Sequence, residues 1–274
     1  GIKGIAIKSI ESLSCFRGLE CDGKYDVFSA AKEWCINISV LSPLIQAGAM
    51  DESTKTISRR VLEAQTFNLL TDREKRNFIK LKDRLGEDIL NAISKSVDEN
   101  ILGDDNRPLM KPSRFETFKK KFKNYKDIYD KNKSHQKFTN WWYENSLLGY
   151  SYSHDLKDCF DERYGTLISC KEASELPEKA EYTTVCQVSD FFTRISQNGN
   201  KYMIIEGSDN TASSRFLFMD NSREEKLTNF LKSNKILKGG ILVLTASKNR
   251  DTSFVNSVKV IDTQVMMKVR DLKK

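Results

Sequence analysis

The chain has 274 residues, 39% hydrophobic and 30% charged, with 45 Lys and Arg against 38 Asp and Glu and a net charge of +7. That length is enough for a sizeable core and predicts about two domains, with no apolar run near the ~20 residues of a membrane helix. The opening Gly1-Ile2-Lys3 does not read as a signal peptide, and six scattered cysteines with two histidines show neither a C-x-x-C pair nor zinc-ligand spacing. We therefore expect reduced thiols, a cytoplasmic setting, and neither metal nor cofactor in this chain.

In chain order, the first element is a glycine corner, Lys3-Gly4-Ile5-Ala6. Gly4 permits a tight turn and a close approach. A helix is predicted from Ala6 to Leu13, so the N–H groups of Ile5, Ala6 and Ile7 stand at its open start, a natural phosphate site. Lys3 and Lys8 flank it and can add charge-assisted contacts. We read 1–51 as a helix-hairpin-helix unit holding duplex DNA by its backbone, the plain alternative being an ordinary helical corner.

Residues 52–168 read as a helical region. One helix spans Ser58 to Leu70. The next opens on the capping box Thr71-Asp72-Arg73-Glu74 and carries an apolar stripe at Phe78, Leu81, Leu85, Ile89, Ile93 and Val97, interrupted by Gly86. Asn100 to Pro112 is a loop by its turn residues. Ser113-Arg114-Phe115-Glu116 predicts another capping box, opening a helix to about Lys131. Its aromatics at Phe115, Phe118, Phe122, Tyr125 and Tyr129 repeat with a helical period and are read as core. Between Lys111 and Lys137 ten cations face three acids, an excess equal to the net charge of the whole chain. Lys119, Lys120, Lys123 and Lys126 lie mostly off the aromatic stripe and are candidate phosphate contacts, or else a solvated face. A further helix from Thr139 carries Trp141 and Trp142, read as packing anchors.

Residues 169–181, with Pro177 and several acids, read as a linker. From Tyr182 the pattern changes to strands: TTVCQVSDFFTRI, an Asn198-Gly199 turn, KYMIIEG and SSRFLFMD, then a helix from Arg223 to Ser233, then ILVLTAS and FVNSVKVID. That order over 182–263 is that of an OB-fold, a small barrel that often holds single-stranded nucleic acid. Phe216 and Phe218 are expected inward and Arg215 outward by alternation. The candidate single-strand contacts are Phe191, Arg194, Lys201, Tyr202, Arg215, Lys248 and Arg250, rings to stack bases and cations to track phosphates. Phe192 stands among them. A basic tail, 264–274, follows. The expected fold class is α+β, an all-helical N-terminal domain and a C-terminal barrel.

Three blocks carry a resemblance: Ile2-Lys3-Gly4-Ile5-Ala6 with Lys24-Tyr25-Asp26-Val27-Phe28 and Leu44-Ile45-Gln46-Ala47-Gly48-Ala49-Met50-Asp51; Glu144 to Leu156; and the barrel-like stretch Thr183 to Asp262. In this order they resemble the C-terminal half of the bacterial replicative DNA polymerase III alpha subunit, the DnaE or C-family polymerases. Ala6 stands where the family has a second hairpin glycine, and Asp155 where it has a proline. The resemblance implies a fragment of a longer, bacterial or phage, DNA-directed DNA polymerase, with a nucleotidyltransferase palm, its Mg²⁺ ions and other domains upstream. It further implies a non-catalytic, DNA-binding role in replication, duplex held at the hairpin and single-stranded template at the barrel. A sliding clamp is an implied partner, and Gln65-Thr66-Phe67-Asn68-Leu69-Leu70 is the nearest peptide, read as core.

The residues themselves show no clustered carboxylate pair for two metal ions and no Ser-His-Asp arrangement. A free-standing single-strand-binding or DNA-repair accessory protein is the alternative. A ligase would need a K-x-D-G motif, and the sequence has none.

Overall fold

The computed structural model describes the chain except for residues 19–22, 31–36, 51–55, 87, 161–163, 222–223 and 262–274. Asp51, Arg223 and the basic tail lie outside the described residues. The described residues divide into two units between Gly149 and Tyr150. Gly149, in the left-handed region at φ 89°, ends the last helix of the first unit.

The first unit is helical. Its elements are α1 (Ile7–Ser12), α2 (Lys24–Ala30), α3 (Ile38–Gln46), α4 (Ile57–Asn68), α5 (Asp72–Leu85), α6 (Ile89–Asp98), α7 (Pro112–Asn132) and α8 (Gln136–Leu148). Helix α4 is the centre: Val61, Leu62, Ala64 and Phe67 are buried, and α2, α3, α6, α7 and α8 all pack on it. Tyr25, Phe28, Phe67 and Phe78 form a ring cluster across α2, α4 and α5, with Tyr25 edge-on to Phe78 at 5.2 Å. Beside it, Lys24 of α2 and Glu63 of α4 make a 3.0 Å ion pair, both side chains at most 6% exposed.

Three expectations need correction here. The stripe from Phe78 to Val97 is not one helix. Gly86 takes φ 89° and stops α5, and Asp88 then caps α6 by accepting the Asn91 N–H at 3.1 Å. The capping box at Ser113 does not form, because Pro112 takes the first helical position and α7 starts there without a side-chain cap. Helix α8 begins at Gln136, about a turn before Thr139, whose hydroxyl donates back to the His135 carbonyl at 2.9 Å. The Thr71–Glu74 capping box does form.

The second unit is a barrel. Its strands are β1 (Leu167–Ile168), β2 (Glu181–Ile195), β3 (Lys201–Ser208), β4 (Ser213–Met219), β5 (Ile241–Asn249) and β6 (Thr252–Ile261), with α9 (Cys170–Glu175) before β2 and α10 (Lys226–Ser233) between β4 and β5. The hydrogen-bonded order β2-β3-β4-β6-β5 returns to β2, so five strands close on themselves, with β4 and β6 parallel and every other pair in the ring antiparallel. One long strand makes this closure possible: residues 181–187 of β2 pair with β5 and residues 187–195 with β3.

Cys186, Val188, Met203, Ile205, Phe216, Phe218, Leu242 and Leu244 fill the interior, and Phe230 of α10 meets Phe218 edge-on at 5.6 Å. Gly207 faces this crowded interior: a Cβ there would lie 2.4 Å from Cys186 Sγ. The segment 169–181 is not a linker. It holds α9, with Cys170 and Ala173 buried on the barrel, and a Ser169–Glu172 capping box. Asp209 docks it, accepting the Cys170 N–H at 2.7 Å with one carboxylate oxygen while the other organises the turn at Thr211.

Two stability outcomes follow. Glu63→Gln removes the carboxylate that pairs with Lys24 at 3.0 Å and with Arg59 at 3.4 Å, and should cost about 3–5 kcal/mol in urea unfolding. Gly207→Ala should lower stability by about 1–3 kcal/mol through overpacking against Cys186, read as a fall in the thermal midpoint.

Candidate nucleic-acid interface

The candidate interface is the outer wall of β2, β3, β4 and β6. Its geometry begins with an irregularity in β2, where the register with β3 shifts between Val188 and Asp190. Upstream of this bulge the even-numbered Tyr182, Cys186 and Val188 point into the barrel. Downstream, the odd-numbered Phe191 packs against the core, and Phe192 turns out, 38% exposed. One extra residue swaps the faces of the rest of the strand.

Cross-strand partners share a face, so the register sets out the wall in rows. The first row is Arg194, Tyr202 and Met219. The second is Phe192, Ile204, Leu217 and Phe254, the last brought in by the parallel pairing of β4 with β6. The third is Asp190, Glu206, Arg215 and Thr252. Successive rows lie about 6.8 Å apart, twice the rise of a strand.

The middle row is apolar from end to end, with a half-open ring at each end: Phe192 at 38% and Phe254 at 37% exposure. The guanidinium of Arg194 sits 5.2 Å from the Phe192 ring centre, a cation–π contact that leaves both groups at the surface. Arg215 lies outward, as the inward Phe216 and Phe218 require, and its Nη2 donates to Glu206 Oε1 at 2.9 Å. Arg250, exposed at φ 51°, sits in the β5–β6 turn next to Thr252, the neighbour of Arg215 in register.

Thus Arg194, Tyr202, Arg215 and Arg250 lie on or beside one wall. Three other expected contacts are not brought to it. Phe191 is partly buried and packs against the core. Lys201 follows the inward alternation of Met203 at the start of β3. Lys248 pairs in register with the buried Ser253, and its backbone is held by residues 179 and 180. Phe254 was not among the expected contacts, because only a parallel pairing of strands distant in sequence places it beside Leu217.

In the helical unit, the corner Lys3-Gly4-Ile5-Ala6 and Lys8 is largely exposed, with Gly4 at φ 87°. Helix α1 is short, and no side chain caps it. The Ile5 N–H is not an open donor: it bonds the Ile2 carbonyl at 3.1 Å, within the turn. On α7, Phe115, Phe118 and Phe122 are buried and stacked, and the lysines divide. Lys119 pairs with Glu116 and Lys126 with Asp130, whereas Lys120 and Lys123 are exposed without an acidic partner among the described residues. The peptide Gln65 to Leu70 lies in and just after α4, with Thr66 and Phe67 at most 2% exposed, so it is core and not a docking peptide. Among the described residues no cluster of three metal-ligating side chains occurs, and no helix is long and apolar enough to cross a membrane.

A five-stranded closed barrel in this order, with a helix between its third and fourth strands, is an OB-fold. Similar solved structures include a replication protein A domain from Methanococcus maripaludis, at 16% identity and TM-score 0.28 over 35% of this chain and 97% of that one. Another is a mitochondrial single-stranded DNA binding protein from S. cerevisiae, at 15% identity and TM-score 0.25 over 31% of this chain and 98% of that one. RecG bound to a three-way DNA junction aligns at 14% identity and TM-score 0.27, over 83% of this chain and 30% of that one. No protein-family model matches the chain, and no curated protein does.

The bulge makes two adjacent rings behave differently. Phe191→Ala should destabilise the barrel by roughly 2 kcal/mol in denaturant unfolding. Phe192→Ala should stay within about 0.5 kcal/mol of the parent, as a surface change does.

Proposed function

We propose that the second unit binds single-stranded DNA across the wall of β2, β3, β4 and β6. The observation that carries this reading is the Phe192–Ile204–Leu217–Phe254 row, a half-buried apolar track ended by two exposed rings, with Arg194 and Tyr202 in the row on one side and Arg215 in the row on the other. Bases stack on rings whatever their sequence, at about 1–3 kcal/mol each, and guanidiniums beside the track take the phosphates. The barrel would therefore bind without strong sequence preference.

A finer reading is that the chain is a non-catalytic part of a C-family replicative DNA polymerase, acting in the cytoplasm beside upstream polymerase domains. Support for it comes from the sequence blocks at residues 2–6, 44–51 and 144–156 and from the barrel that follows them. On this reading the exposed corner at Lys3, Gly4, Ala6 and Lys8, and the exposed Lys120 and Lys123 of α7, would add phosphate contacts to duplex. A clamp, if one is engaged, would use a segment other than Gln65 to Leu70.

Fluorescence anisotropy with a labelled oligo-dT tests the central reading. Phe192→Ala with Phe254→Ala should weaken binding by roughly 30-fold or more at fixed salt, since the two rings together are worth at least about 2 kcal/mol. An unchanged titration would remove this wall from the DNA-binding surface.

A further inference from the structure

The third row of the wall carries a feature that a phosphate-binding surface does not need. Asp190 and Glu206 are direct cross-strand partners, two carboxylates side by side at the edge of the apolar track. Like charges so placed are destabilising on a sheet. Each is relieved by one cation: Lys238 Nζ lies 2.9 Å from Asp190 Oδ1, and Arg215 Nη2 lies 2.9 Å from Glu206 Oε1. All four side chains are between 42% and 65% exposed. Arg215, the one cation in the third row itself, is therefore already engaged, and Lys238, beside the row, is engaged in the same way.

We propose that Asp190 and Glu206 are built-in competitors for the DNA backbone, holding Lys238 and Arg215 against incoming phosphates and so limiting both single-strand affinity and its dependence on salt. The proposal rests on the reading of this wall as a single-strand site. Exposed ion pairs of this kind are weak, so a phosphate can displace either carboxylate. The exchange trades one anion for another at the cation, and the released carboxylate then stands beside the phosphate it admitted. The counterion that leaves the phosphate is retained beside the freed carboxylate, so this contact adds less than the usual increment to the salt dependence. The acidic pair also biases the path of the strand, with bases on the middle row and phosphates drawn toward Arg194 on the far side of it.

Glu206→Gln keeps the shape and removes the competing charge. Oligo-dT affinity should rise about two- to five-fold at low salt, the range an exposed ion pair represents. The slope of log affinity against log salt should steepen by about 0.7, the increment for one further phosphate neutralised on a single strand. Asp190→Asn with Glu206→Gln should add a second increment, and Glu206→Asp, which keeps the charge, should match the parent. Parent-like affinity and slope in Glu206→Gln, or weaker binding, would overturn the proposal. The ring variant Phe192→Ala with Phe254→Ala, measured in parallel, separates the two failures. If it loses binding while Glu206→Gln is silent, only the carboxylate inference falls. If it binds like the parent, the wall is not the site and both fall.

Discussion

The geometry of the barrel depends on one strand serving two partners. β2 is fifteen residues long, pairing with β5 in its first half and β3 in its second, so it closes the five-stranded ring, with the short β1 added in parallel at Thr183 and Thr184. A strand that passes from one partner to the other must bend, and the irregularity between Val188 and Asp190 is where it does so. The same extra residue reverses which side chains face the core. Closure of the fold and composition of the outer wall are thus one event: without the bulge, Phe192 would be inside and Phe191 outside.

The wall that results combines opposed tendencies. Its middle row is apolar, yet only the rings at its ends are substantially open, and it is bordered by charged rows. Within the charged rows, Arg194 lies over a ring and Arg215 lies against a carboxylate, so the two guanidiniums differ in how readily a phosphate can engage them.

The helical unit is organised by a different constraint. Helix α4 is packed on from several sides and carries charged side chains into that environment, among them Glu63 opposite Lys24. An ion pair with at most 6% exposure links α2 to α4, and Glu63 also receives Arg59 from one turn away on α4. On α7, the aromatic stripe faces in and the lysines face out, where some pair with acids one turn away and, among the described residues, Lys120 and Lys123 do not.

Periodicity alone was enough for the coarse plan: the stripe of α7, the capping box of Thr71, the Asn-Gly turn after β2, the inward Phe216 and Phe218, and the strand order of the barrel. These are local signals, each decided by residues within a turn or two of one another. What the tertiary structure decided was non-local. The bulge in β2 could not be read from alternation, because its residues fit either face. Phe254 reaches the wall only through the parallel pairing of β4 with β6. The segment 169–181 holds α9 (Cys170–Glu175), and Asp209, 39 residues away, docks that helix by accepting the Cys170 N–H. Pairing partners far apart in sequence set these outcomes, and no window of the chain contains both members of such a pair.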